Sequence, residues 1–144
     1  LSHLGIEPLS NHLSGPWLSD VLRGKKTPIK SALLDQRLIA GLGNIYVNEA
    51  LHMSGVSPRR LAQTIAGKRA EKLVIAIRTV LAAAIEAGGT SLRDHVQPGG
   101  EIGYFVQRLS VYGRTSEPCL TCATPIKELR QSGRASFYCP SCQR

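Results

Sequence analysis

The four cysteines of this 144-residue chain fall into two C-x-x-C pairs near its end, Cys119-Leu-Thr-Cys122 and Cys139-Pro-Ser-Cys142, with sixteen residues between the inner two. No other feature constrains the fold as much. Each C-x-x-C turn aims two sulfurs at one point, and two such turns complete a tetrahedron of thiolates. Zinc accepts that geometry, and four protein ligands leave no coordination position open for water or substrate. The expected cofactor is therefore one structural Zn2+ on Cys119, Cys122, Cys139 and Cys142. Two disulfides or a redox pair are the rival readings. A lone redox motif has no need of duplication, however, and the opening residues LSHLGIEPLS lack the charged-then-apolar layout of a signal peptide, so the thiols are expected in a reducing cytoplasm. A ribbon this small cannot bury enough apolar area to fold unaided, and the metal is expected to supply most of its folding free energy, on the order of 10 kcal/mol.

Between the cysteine pairs, TPIKELRQSGRASFYC reads as strand, turn and strand, with Ser132 and Gly133 at the turn and Arg134 beside the tip. Arg130 and Arg134 on a metal-pinned hairpin can enter a DNA groove, where a narrow minor groove concentrates negative potential; singly, an Arg near a hairpin tip is more often a solvated surface residue. Charge supplies context. Eighteen Lys and Arg against ten Asp and Glu give a formal charge of +8, which favours an acidic partner such as nucleic acid or an anionic membrane surface. No apolar run approaches the ~20 residues that cross a bilayer.

Ahead of the cysteines, glycine and proline cut the chain into helical pieces, and its 42% hydrophobic content suffices for one core or a core plus a small satellite. Pro16 opens PWLSDVLRG with Gly24 just past its end, Thr27 is the expected cap of PIKSALLDQ, and Ser57 and Pro58 precede RRLAQTI. The clearest helix is GKRAEKLVIAIRTVLAAAIEAGG. Leu73, Ile77, Val80, Leu81 and Ala84 recur at spacings of three and four, while Lys68, Arg69, Lys72 and Arg78 fall elsewhere and predict a solvated basic face. After Thr90, SLRDHVQPGGEIGYFVQRLSVYGR reads as a mobile loop, and a domain boundary is expected near residue 114.

The stretch Gly41-Leu-Gly-Asn44 separates two helical segments that could have been one. Its glycines permit a tight reversal, and Asn44 stands where the next helix begins. Unpaired amides and partial positive charge at a helix start suit a phosphate oxygen. The Asn44 side chain can cap the helix or donate to that phosphate. Lys25, Lys26 and Lys30 just upstream and Arg59 and Arg60 downstream favour nucleic acid, and no G-x-G-x-x-G supports a dinucleotide site.

Taken together, LLDQRLIAGLGNIYVNEALHMSGVSPRR, GYFVQRLSVYGRTSEPC and GRASFYCPSCQ resemble the C-terminal half of bacterial formamidopyrimidine-DNA glycosylase, more closely than the sister family endonuclease VIII. The resemblance implies a mainly α fold with a small β part: a helix-two-turn-helix bundle over residues 1–113, with a lesion-capping loop near 91–108, then a four-cysteine zinc hairpin over 114–144. It implies that Asn44 holds a phosphate next to the lesion, that Lys30 lies at the DNA face, and that Arg134 contacts the lesion-site backbone. Arg93, Gly99, Gly100, Gly103 and Tyr104 fall in the loop that closes over the flipped base. The implied partner is duplex DNA carrying an oxidised purine (formamidopyrimidine or 8-oxoguanine) or an abasic site, bound by a monomer in the bacterial cytoplasm with the nucleoid and no membrane.

In that family the nucleophile is the amine of an N-terminal proline, followed by a glutamate, and a further lysine assists; all lie in a preceding β-rich domain. Leu1 and Ser2 match neither residue. The expectation is thus a DNA-binding part of a base-excision glycosylase and apurinic/apyrimidinic-site lyase, with no catalytic residue in this chain. The alternatives are a stand-alone zinc-ribbon adaptor for RNA or protein, which would need only the hairpin, and a thiol redox protein, which would hold no metal.

Overall fold

Helix α4, Lys68–Gly88, is the backbone of the helical unit in the computed structural model, which describes residues 4–88 and 109–144. Leu73, Ile77, Val80, Leu81 and Ala84 are all buried along it, as their spacing predicts. Helices α1 (Gly15–Leu22) and α3 (Asn44–Ser54) pack against this face, and α2 (Ile29–Leu34) packs against α3. Lys68, Arg69 and Lys72 are solvated as expected, but Arg78 is not. Its guanidinium donates to the carbonyls of Ser10 and Leu13, so this cation ties down the N-terminal segment instead of facing water.

Helix α1 begins as its sequence suggests, with the Ser14 hydroxyl accepting from the amide of Trp17 at 3.1 Å and Pro16 in the first turn. The next element departs from expectation. Helix α2 is capped at Pro28, not Thr27, and no side chain caps it. Backbone takes over that role: the Ile29 amide donates to the Arg60 carbonyl at 2.7 Å, beside an isolated bridge between Pro28 and Leu61. The same bridge holds Leu61 extended, which limits RRLAQTI to a single 3-10 turn over Ala62–Thr64.

Two turns join α2 to α3. The Gln36 side chain staples them, accepting from the Gly41 amide at 2.7 Å and donating to the carbonyls of Leu34 and Leu42. Gly41 alone of the two glycines uses the left-handed region, at φ +88, whereas Gly43 at φ −95 is ordinary extended backbone preceding Asn44. Leu42 between them and Ile39 just before them are buried.

The C-terminal segment forms a two-stranded antiparallel sheet, β1 Lys127–Gln131 against β2 Arg134–Tyr138, with Gln131 opposite Arg134. Ser132 and Gly133 both have positive φ, as a two-residue turn matched to the twist of its strands requires. Val111, Cys119, Ile126, Phe137 and Cys139 make a second small core, and Tyr112 bridges it to the larger one, its ring packed edge-on against Phe137 with centroids 4.8 Å apart. Among the described residues, four helices, a 3-10 turn and one hairpin thus give the mainly α architecture with a small β part.

Candidate nucleic-acid interface and metal centre

The four cysteine sulfurs lie within 4.8 Å of one another. Cys119 and Cys142 are 3.9 Å apart, and Cys122 is 3.5 Å from both Cys139 and Cys142. A zinc tetrahedron with bonds of about 2.3 Å has edges of about 3.8 Å, whereas a disulfide needs about 2.0 Å, so the donor set fits one zinc ion and not two disulfides. Backbone amides of Thr121 and Cys142 point at the sulfurs of Cys119 and Cys139, each at 3.4 Å, and favour the thiolates. Thr124 beside Cys122 brings that thiol down to about 6, while the Cys122 sulfur and burial push Cys142 up to about 12. Sulfurs this crowded are all deprotonated only around a cation, which a coordinated metal provides.

Helix α3 carries the hairpin. Asn44 and Asn48, one turn apart, face β2: the Asn44 amide donates to the Ala135 carbonyl at 3.1 Å, and the Asn48 carbonyl oxygen accepts from the buried Phe137 amide at 2.7 Å. Lys30 arrives from α2 and donates to the same Ala135 carbonyl at 2.9 Å and to the Ser136 hydroxyl at 2.6 Å. Lys30, Asn44 and the hairpin tip with Arg134 therefore meet at one point.

The three sequence-predicted residues differ in exposure. Arg134 is exposed and Asn44 half-buried at the start of α3, but Lys30 is only 1% exposed. Burial, and secondarily the charge of Arg134, lower Lys30 from the usual lysine value to about 8. It remains a cation at neutral pH, pressed behind the hairpin. Arg130 closes the turn by donating to the Gly133 carbonyl, and Arg60 donates to the Arg144 carbonyl, while Lys25, Lys26 and Arg59 are exposed. Arg93, Gly99, Gly100, Gly103 and Tyr104 lie outside the described residues.

Sequence reasoning missed Asn48 and Glu49. The Glu49 carboxylate is 7% exposed and accepts from the amides of Ser110, Val111 and Tyr112 at 2.7, 2.9 and 2.9 Å, which fixes the chain just before the zinc module. The available signal was three hydrogen-bonding residues, at 44, 48 and 49, in the first half of a helix that also buries Val47, Ala50 and Leu51; their partner segments lie some 60 to 90 positions away.

A family model described as the formamidopyrimidine-DNA glycosylase H2TH domain matches residues 4–96, and one described as a zinc finger found in FPG and IleRS matches residues 116–144. Formamidopyrimidine-DNA glycosylase of Rhizorhabdus wittichii is 56% identical over 141 residues, covering 98% of this chain and 52% of that protein. A structure of MutM in complex with DNA containing carbocyclic 8-oxo-G superposes with a TM-score of 0.85 at 34% identity, over 99% of this chain and 52% of that one. The complex of Lactococcus lactis Fpg with DNA containing an abasic site gives 0.85 at 31% identity, with the same coverage of 99% and 52%. The chain spans about half the length of the relatives it matches. Among the described residues, no helix is long and apolar enough to cross a membrane.

Proposed function

We infer that this chain, which belongs to the formamidopyrimidine-DNA glycosylase family, is the part of such an enzyme that grips duplex DNA around an oxidised purine or an abasic site. The observation that carries this reading is the junction at the Ala135 carbonyl, where α2, the start of α3 and the hairpin are locked together by Lys30 and Asn44. That junction holds Arg134 beside the amino terminus of α3. A phosphate there would meet three favourable groups: the positive end of the helix, the second amide hydrogen of Asn44 and the Arg134 guanidinium. Lys30 acts from behind, adding positive charge and holding the hairpin at its angle.

Phosphate contacts of this kind fix register and orientation and carry no base information. Held on both sides of a lesion by the helical unit, residues 1–113, and the finger, residues 114–144, a duplex can be kept kinked while the damaged nucleotide is extruded. The loop near 91–108 would close over that nucleotide. Attack on the sugar C1′, base loss and strand cleavage belong to the remainder of the parent enzyme, which carries the proline and glutamate. A single copy in the cytoplasm suffices. A stand-alone zinc-ribbon adaptor would account for residues 116–144 alone and leave the match over residues 4–96 without a purpose.

Fluorescence anisotropy with a duplex carrying a tetrahydrofuran abasic analogue tests this, with an intact duplex as reference and salt varied between about 50 and 200 mM. The chain should bind the analogue more tightly and cleave neither duplex. Arg134→Ala should weaken binding by about tenfold and reduce the salt slope by about one. If the double substitution Asn44→Ala with Arg134→Ala leaves retention unchanged in a chain that melts normally, the reading fails.

A further inference from the structure

We propose that His52 is a positioning residue of the zinc centre, donating its Nε2 hydrogen to the Cys119 thiolate and tying the metal site to the helical unit. The Nε2 atom lies 3.6 Å from the Cys119 sulfur. A zinc-bound thiolate carries no proton and can only accept, so the contact has one possible polarity, N–H to S. The backbone donors to cluster sulfurs, Thr121 to Cys119 and Cys142 to Cys139, belong to the zinc module itself. His52 comes from α3, 67 positions away along the chain.

Its place in α3 gives the contact meaning. Asn44, Asn48 and His52 follow one another at intervals of four and so lie in one row, about 12 Å long. The first meets the Ala135 carbonyl, the second the Phe137 amide and the third the Cys119 sulfur. One face of one helix thus grips the hairpin at its tip, along its second strand and at its first cysteine pair. A hydrogen bond to a metal-bound thiolate draws charge off the sulfur, which makes it harder to protonate and slower to leave the metal. Outer contacts of this kind are worth about 10- to 100-fold in metal affinity. The helix that presents Asn44 to a phosphate would at its other end hold the ion that keeps Arg134 in position.

The proposal rests on the zinc site, so metal content is measured first on the purified chain; a stoichiometry of one is expected, and zero overturns both readings together. Zinc release to excess chelator, read with a chromogenic indicator, is then compared in the wild type, His52→Phe and His52→Gln. Phenylalanine fills the ring volume without a donor, and glutamine carries an amide nitrogen at the same reach as Nε2. His52→Phe should release zinc at least tenfold faster, and His52→Gln should recover most of the difference. Equal release from the wild type and His52→Phe would overturn the proposal, as would a glutamine variant as fast as phenylalanine, since that outcome reports packing alone. Wild-type protein loaded with cadmium-113 gives a readout independent of any variant: a scalar coupling between the metal and the His52 ring hydrogen is expected, and its absence counts against the bond.

Discussion

Replacing Glu49 by glutamine exchanges one oxygen for an NH2 group and leaves shape almost unchanged, so any loss of stability reports hydrogen bonding and not a cavity. In the native protein Oε1 accepts from Ser110, and Oε2 accepts from Val111 and Tyr112. A carboxamide offers one accepting oxygen. In its better orientation it keeps the Val111 and Tyr112 bonds as neutral ones and turns its NH2 toward the Ser110 amide, donor against donor. One charge-assisted bond is lost, about 1.5 to 3 kcal/mol, and two weaken by roughly half a kcal/mol each or more. The sum is about 3 kcal/mol, a large fraction of the 5 to 15 kcal/mol typical of a domain. With an unfolding entropy of about 2.1 cal/mol/K per residue, a chain of this size should melt about 10 °C lower. Thermal denaturation with zinc in excess measures this, and amide exchange at Ser110, Val111 and Tyr112 should accelerate in step. A drop under about 3 °C, near 1 kcal/mol, would mean that water satisfies these amides and that Glu49 anchors nothing.

Lys30 predicts a pH signature. Its folded value of about 8 lies below the 10.5 of the unfolded chain, so the unfolded state binds more protons between those values, and this group's contribution to stability rises as pH rises through that window. Urea titrations of the wild type and Lys30→Met should therefore diverge in favour of the wild type from pH 8 to 10.5, and parallel curves would mean that Lys30 is not desolvated. Stripping zinc with a chelator should unfold the cysteine-bounded segment while α1 to α4 keep their helical circular dichroism, and duplex binding should fall with the metal because Arg134 loses its mount. Gly41→Ala meets no atom within 4 Å of the added carbon, so only the left-handed φ of +88 resists it. A loss of about 1 to 2 kcal/mol by chemical denaturation is expected, and none would mean that the turn relaxes freely.

The parts of this fold that a sequence shows are those with a period or a fixed chemical spacing. The apolar face of α4, the two C-x-x-C turns and the Ser132-Gly133 reversal each depend on neighbours a few positions away, and each stands as its pattern predicts. The misses share a different cause. Thr27 is not a cap because the Arg60 carbonyl, distant in sequence, already satisfies the Ile29 amide. Arg78 leaves the solvated face because two carbonyls from the N-terminal segment arrive above it. The bonds of Lys30 to Ala135 and Ser136 of β2, more than a hundred positions away, are likewise beyond any local pattern. Local rules locate elements, but the partner of a polar side chain 65 to 105 positions away is a property of the assembled fold.

That distinction bears on why the hairpin is fastened by polar contacts at all. Among the described residues the second core contains five buried ones, two of them cysteines, and apolar burial on that scale cannot fix an orientation against the larger core. Direction comes from hydrogen bonds, which fall off steeply with angle: Asn48 to the Phe137 amide, Glu49 to three successive amides, and Lys30 with Asn44 to a single carbonyl. Breaking the Asn48 bond or those of Glu49 leaves a buried or part-buried amide without a partner, a penalty of about 1 to 3 kcal/mol, so the hairpin has few alternative seats of similar energy. A finger mounted this way can meet a bent sugar-phosphate backbone without being ordered at the moment of binding, and the ordering entropy that a loosely tethered ribbon would lose there is already spent in folding.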